Sequence, residues 1–154
     1  MPIDYGTNEI IASGNINLGN IQISDNTIAA TNTNGNIIVQ SNGTGALQRD
    51  SGGNARGQYA VDLQNVRLTS LMVAAGNYSV VGGGRNNNAS GTDSTIGGGV
   101  YNAADDGYAT VGGGGSNAAT KHHATAGGGG NNNARSHGRH LEQGPKNKSL
   151  GART

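Results

Sequence analysis

An all-β fold built around a parallel β-roll is predicted by three features of this 154-residue chain. A glycine triplet returns at fixed phase, opening at Gly82, Gly97, Gly112 and Gly127, each fifteen residues after the last. Small apolar residues stand at constant offsets from the triplets, and asparagine recurs at one further offset, at Asn87, Asn102, Asn117 and Asn132. A strict period of this length means one unit stacked along an axis, each copy burying its apolar face against its neighbours. A disordered low-complexity segment has no reason to hold alanine and valine in phase with glycine.

The first strand of the unit lies just before the glycines. Val81, Ile96, Val111 and Ala126 precede the triplets, Ser79, Ser94, Ala109 and Ala124 stand two residues earlier, and Val80, Thr95, Thr110 and Thr125 lie between. That alternation gives a short strand with one face inward. A second strand is marked by Ala74, Ala89, Ala104, Ala119 and Ala134, the last four each two residues after an asparagine. The unit therefore reads strand, glycine turn, strand, turn. Gly82, Gly83, Gly97, Gly98, Gly112 and Gly113 are the predicted turn glycines, placed where the chain reverses or where another backbone passes too close for a Cβ. An asparagine amide can pair with the copies above and below, and it tolerates turn geometry. Four such coils, at about 4.8 Å per strand layer, predict a rod about 20 Å long.

Composition decides what the rod needs. Hydrophobic residues make up 32% of the chain and aromatics 3%, with 29 glycines and no Phe, Trp or Cys. At about 25 cal/mol per Å² of buried apolar area, a thin alanine-lined roll does not offset the ordering entropy of so much glycine. The missing burial is expected from other chains, most simply in a homotrimer whose axial core holds Val81, Ala89, Ile96, Ala104, Val111 and Ala119.

Four segments follow along the chain. Residues 1–48 carry short β-type runs (Ile16 to Leu18, Ile21 to Ile23, Ile28, and Ile37 to Val39) between the turn pairs Gly19-Asn20, Asp25-Asn26, Asn34-Gly35 and Asn42-Gly43. They predict an N-terminal β-prism-like module shared among chains. Residues 49–73 are a polar, glycine-rich loop followed by the most apolar stretch, expected to form a linker and the strand that caps the first coil. Residues 74–134 are the β-roll shaft. Residues 135–154 hold five basic and one acidic residue, against five and eight in the first 134, and Leu141 is followed by Glu142 where glycine is due. Here the register is expected to fail, in a disordered or truncated basic tail.

Charge and motifs exclude several function classes. A net charge of +1 without a basic stripe interleaved with aromatics gives no case for nucleic-acid binding. No basic-then-apolar leader opens the chain, and no stretch has the length of a membrane span, so no membrane insertion is expected. The absence of cysteine removes disulfides and thiolate metal sites. Asp105-Asp106 invite a calcium reading, but glycine-rich calcium rolls repeat their acids in every turn and here only one coil has them. His122-His123 occupy the equivalent turn of the next coil, where a solvent-facing pair is the simpler reading than a metal ring. The glycine triplets lack the Lys and Ser or Thr of a phosphate-binding loop, and no serine has His and Asp companions in register. No catalytic residue, metal or cofactor is therefore assigned. Tyr78, Tyr101 and Tyr108 are placed on turns or outer faces, where flat rings beside Asn and Asp suit contact with a glycan.

The run from Tyr78 through Gly82-Gly83-Gly84 and Asn86-Asn87-Asn88 to Gly91, with its successors, resembles the β-roll repeats of trimeric autotransporter adhesin heads. It resembles more closely the related repeats of bacteriophage tail fibres, since adhesin repeats usually run shorter and lack a full glycine triplet. Residues 35–45 resemble the β-rich modules of phage fibre and neck proteins, and residues 56–64 are similar to the lead-in before such repeats in marine phage fibres. The resemblance implies a trimeric virion fibre whose N-terminal module docks on phage tail or baseplate proteins and whose distal part meets a host surface glycan. A bacterial surface adhesin head and a glycan-binding tailspike are the alternatives.

Overall fold

The structure, a computed structural model, describes residues 4–5, 8–9, 21–24, 27–30, 33–137 and 140–141. Two compact units divide the chain, residues 1–39 and 40–154. No described residue is helical.

In the first unit, β1 (Asp4–Tyr5) pairs antiparallel with β2 (Asn8–Glu9). Strand β3 (Ile21–Ser24) pairs antiparallel with β4 (Thr27–Ala30), from Ile21 opposite Ala30 to Ser24 opposite Thr27. That pairing brackets Asp25-Asn26, the turn signal read there from sequence. The expected runs Ile16 to Leu18 and the Gly19-Asn20 turn lie outside the described residues. Ile37, Ile38 and Val39 were expected in a strand, but they have no ladder partner among the described residues and expose their side chains. Asn34, before them, does turn the chain, at φ 57°.

The second unit is a parallel β-solenoid. Its main sheet has seven strands in the order β15-β13-β11-β9-β7-β6-β5. These are β5 (Leu47–Gln48), β6 (Val61–Asp62), β7 (Val80–Val81), β9 (Thr95–Ile96), β11 (Thr110–Val111), β13 (Thr125–Ala126) and β15 (His140–Leu141). A second sheet stacks β8 (Asn88–Ala89), β10 (Ala103–Ala104), β12 (Ala118–Ala119) and β14 (Asn133–Ala134), and Ala74 bridges to Ala89 at its end. A third file of single bridges runs Val66, Arg85, Val100, Gly115, Gly130. Every step in the regular part joins residues fifteen apart, such as Thr110 with Thr95 and Thr125. Seven layers at about 4.8 Å make the stack roughly 30 Å long, half as long again as four coils.

The repeat reaches beyond both predicted boundaries. Leu47 already pairs with Val61, so the N-terminal module assigned to 1–48 overlaps the solenoid, and the 49–73 linker is itself a coil. That coil is irregular: Val61 to Val80 is nineteen residues. Val66 and Ala74 bridge to Arg85 and Ala89, which lie four apart, so the four extra residues fall between Val66 and Ala74. At the other end Leu141 pairs with Ala126, so the register survives past Ala134, against expectation. A two-residue strand needs only backbone partners to stay in register, and loss of the glycine triplet does not remove those.

Each coil closes over its own interior. Four inward files carry it: Ser79, Ser94, Ala109 and Ala124; Val81, Ile96, Val111 and Ala126; Asn87, Asn102, Asn117 and Asn132; and Ala89, Ala104, Ala119 and Ala134. Val81, Ala89, Ile96, Ala104, Val111 and Ala119, expected on an axis shared by three chains, have no accessible surface within one chain. They are the interior of the single solenoid and have nothing left to offer a neighbour. The physical reason is width: the bore is narrow enough for alanine and one Val or Ile per coil to fill, and asparagine completes it.

Those asparagines form a continuous ladder. Asn102 donates its backbone N–H to Asn87 Oδ1 at 3.0 Å, Asn117 to Asn102 at 2.9 Å and Asn132 to Asn117 at 3.0 Å. Each Nδ2 of Asn87, Asn102 and Asn117 donates to a glycine carbonyl in its own coil (Gly83, Gly98, Gly113) and to one in the next (Gly99, Gly114, Gly129). Gln64 replaces the missing first rung: its Oε1 accepts from Asn87 N at 2.9 Å and its Nε2 donates to Asn87 O and Met72 O. The buried amides of Asn87, Asn102 and Asn117 are thus satisfied along the axis, whereas the inward Ser79 and Ser94 hydroxyls have no hydrogen-bond partner among the described residues.

The glycine triplet divides its work by position. A Cβ on Gly82, Gly97 or Gly112 would strike the carbonyl of the matching glycine one coil on. Gly84, Gly99 and Gly114, omitted from the predicted set, are the most constrained, combining φ of +79° to +88° with the same clash. Gly83, Gly98 and Gly113 have open space around them and are held to glycine by φ of +151° to +155°.

Candidate functional site: a stacked corner and a charged cap

Between the second and first sheets every coil turns through a residue in the left-handed region. This corner file reads Tyr59, Tyr78, Asp93, Tyr108 and His123, with φ between 56° and 58°. The left-handed turn repeats because each residue donates its N–H one coil back: Tyr78 to Gln58 O, Asp93 to Asn77 O, Tyr108 to Thr92 O and His123 to Gly107 O, all at 2.8 to 3.0 Å. A non-glycine residue costs free energy in that conformation, and the ladder of coil-to-coil bonds holds it there.

With backbones superposed, the rings stack. Tyr59 and Tyr78 lie 5.1 Å apart at 11° between planes, and Tyr108 and His123 lie 4.8 Å apart at 11°. His122 meets both Tyr108 and His123 edge-on, so the His122-His123 pair belongs to an aromatic cluster with Tyr108. Tyr59, Tyr78 and Tyr108 are about half exposed. Tyr101, grouped with Tyr78 and Tyr108 as a candidate contact, sits in a different corner file with Asn86, Ser116 and Asn131, also left-handed. Counting fifteens from Tyr78 reaches Asp93, Tyr108 and His123 and misses Tyr101 by phase. The members that sequence reasoning missed, Tyr59 and Asp93, were hidden by the nineteen-residue coil and by a change of residue type.

The acidic pair divides. Asp105 Oδ1 accepts from Asn88 Nδ2 at 3.1 Å and Ser90 Oγ at 3.2 Å on the preceding coil, while Asp106 Oδ1 accepts from Gly107 N at 2.7 Å in its own turn. Burial pushes the Asp105 carboxyl above its ordinary range, against the pull of those two donors. Among the described residues no three His, Cys, Asp or Glu converge as metal ligands.

A second polar cluster seals the irregular coil. Asp62 is fully buried, with Oδ2 held by Arg56 Nε at 2.9 Å and Arg67 Nη2 at 3.1 Å. Arg67 Nη1 also grips both oxygens of Asp50 at 2.8 and 3.0 Å, and Arg56 donates to the carbonyls of Gly52, Asn54 and Asp50. The hydrogen bond from Arg67 holds the Asp50 carboxyl below its ordinary value, helped by the Gly52 N–H. Burial alone would lower the Arg67 guanidinium; its bonds to Asp50 and Asp62 outweigh that and raise it. Beside this cap, Leu63, Val66, Leu68 and Leu71 expose between 41% and 67% of their surface.

Comparison with protein-family models, curated proteins and solved structures finds no match to this chain.

Proposed function

We propose that the chain is a non-catalytic structural protein of a virion: a homotrimeric bacteriophage tail fibre or fibre shaft, joining the tail or baseplate to a host-adhesion region. The observation that carries the reading is the stack of coils locked together by backbone bonds and a buried asparagine ladder. Such a stack is a strut, whose stability is a sum over neighbours and whose length is set by repeat number. Membership of a phage fibre rests on the resemblance of residues 35–45, 56–64 and 78–134.

In this reading the trimer is not held by the coil interiors, which each chain completes alone. Its contact surface is the irregular coil, where Leu63, Val66, Leu68 and Leu71, four large apolar residues within nine positions of the chain, are each exposed. Native mass spectrometry of the full chain is expected to give three copies, and a single copy at micromolar concentration overturns the trimer. Changing Leu68 and Leu71 together to serine is expected to release monomers whose thermal unfolding is otherwise retained. Antibody labelling of virions in electron micrographs is expected to decorate the tail; label absent from it overturns the fibre assignment.

A further inference from the structure

We propose that the gap in the aromatic corner, at Asp93 between Tyr78 and Tyr108, is a binding slot for an arginine side chain presented by a partner polypeptide. Five coils present this corner in one file, and four carry a ring: Tyr59, Tyr78, Tyr108 and His123. The rings are already paired outward. Tyr78 stacks on Tyr59 and Tyr108 stacks on His123, so each keeps one face turned along the axis toward the rung at Asp93.

The gap has the right dimension. Two coil steps of about 4.8 Å put the facing rings roughly 10 Å apart. A flat group halfway between would sit about 5 Å from each ring, the spacing that the existing pairs keep at 5.1 and 4.8 Å. The rung itself has the right charge. Asp93 is exposed, and neither hydrogen bond nor ion pair engages its carboxylate among the described residues; only its backbone N–H is used, by Asn77 O.

Two π-faces and one carboxylate select a cation, because the ring face is the negative part of the quadrupole. Flatness selects guanidinium over ammonium. It can stack on both rings at once while its edge donates two N–H bonds to the carboxylate, whereas an ammonium is a hydrated point charge. The corner is also built in advance: the left-handed turns on either side are fixed by bonds from Tyr78 N and Tyr108 N to the coil before, and Asp93 N makes the same bond to Asn77 O. Little ordering cost therefore falls on binding.

The test is a titration of the full chain with N-acetyl-arginine-methylamide, read by amide and ring-proton chemical shifts, with the lysine analogue in parallel. Saturable shifts at Asp93 and at the Tyr78 and Tyr108 rings are expected with arginine, and binding about fivefold weaker with lysine. Asp93→Asn is expected to weaken arginine binding about fivefold. Asp93→Tyr supplies the missing rung; it is expected to abolish the shifts while raising the melting temperature, which separates loss of the slot from loss of fold. Equal binding of both probes, unchanged binding in Asp93→Asn, or no saturable shift with the arginine probe overturns the proposal.

Discussion

In the regular coils, residues 80–134, the inward file of the main sheet holds Val81, Ile96, Val111 and Ala126, whereas one step earlier, in register with Val81, the same file holds Asp62. All five side chains are fully buried. The regular part closes its bore with aliphatic groups and neutral amides, each serving the next coil. The irregular part closes it with a carboxylate and two arginines whose side chains are only 3% and 6% exposed. A coil in the middle of a stack is covered from both sides by identical neighbours. The first complete coil is not: Asp62 is the first buried member of the file, Gln48 in register before it is exposed, and Arg56 from the preceding segment and Arg67 from the nineteen-residue coil close over it. In this solenoid the first buried position of the file is closed by paired charges and every described position after it by neutral groups.

The strongest test moves the carboxylate from one region to the other. Ile96→Asp places it in the same file without arginines, and unfolding of the coils is expected, a loss on the order of 5 kcal/mol. Denaturant melts of the chain measure it. A loss below about 1 kcal/mol would mean that the regular bore tolerates charge and that the two regions do not differ.

Next in size is the amide ladder. Asn102→Ala removes the acceptor for Asn117 N and the donor to Gly98 and Gly114. The buried Asn117 N–H loses its acceptor, Gly98 O loses a part-buried donor, Gly114 O keeps the Val100 N–H, and the missing amide leaves a void in the bore, so a loss of about 3 kcal/mol is expected in the same melts. Arg67→Met probes the charged end, leaving Asp50 and Asp62 short of a partner, with an expected loss of about 3 kcal/mol. Replacing the group together, Asp62→Val with Arg56→Met and Arg67→Met, is expected to recover most of that loss, since the end then takes on the chemistry of the middle. Hydrogen exchange in Val61–Asp62 against Thr110–Val111 localises both effects.

The same two regions differ in how much of them was legible. In residues 78–134 the strands, the inward files and three of the four interior columns follow from counting fifteens, because every coil repeats the same environment. Counting does not tell where the interior is shared. A column of alanine reads as too lean for one chain until the asparagine amides are seen inside the bore instead of on the turns. Counting offers no such handle on residues 46–79, where four added residues shift Tyr59, Asp62 and Gln64 out of phase with their counterparts. Gln64 does the work of an asparagine from a different offset, and the polar run around Arg56 reads as a loop because its partners, Asp50, Asp62 and Arg67, are joined only by the fold. The aromatic corner was half legible: Tyr78 and Tyr108 share a phase, but Asp93 between them carries no mark of its place.

Acid gives the smallest effect and is expected to act in opposite senses on the two regions, weakening the contact at Asp50 and not the one at Asp105. Asp50 is a partly exposed carboxylate whose folded-state pKa lies below its ordinary value of 3.8, chiefly because Arg67 bonds it. A lowered pKa means that the folded chain binds this proton less readily than the unfolded chain does. The contact therefore adds its full stability above 3.8 and loses it progressively as pH falls from there through the lower folded value. Hydrogen exchange measured below pH 3.8 is expected to quicken first around residues 50–67. The carboxylate that links regular coils, Asp105, has a raised pKa, so the folded coil binds its proton more readily than the unfolded chain does and acid does not loosen that contact in the same way. Asp50→Asn is expected to remove the pH dependence of the first coil while lowering its protection at neutral pH. Acid sensitivity that persisted in that variant, or that appeared equally in the regular coils, would place the pH-dependent contact elsewhere and dissolve the distinction between a charged end and a neutral middle.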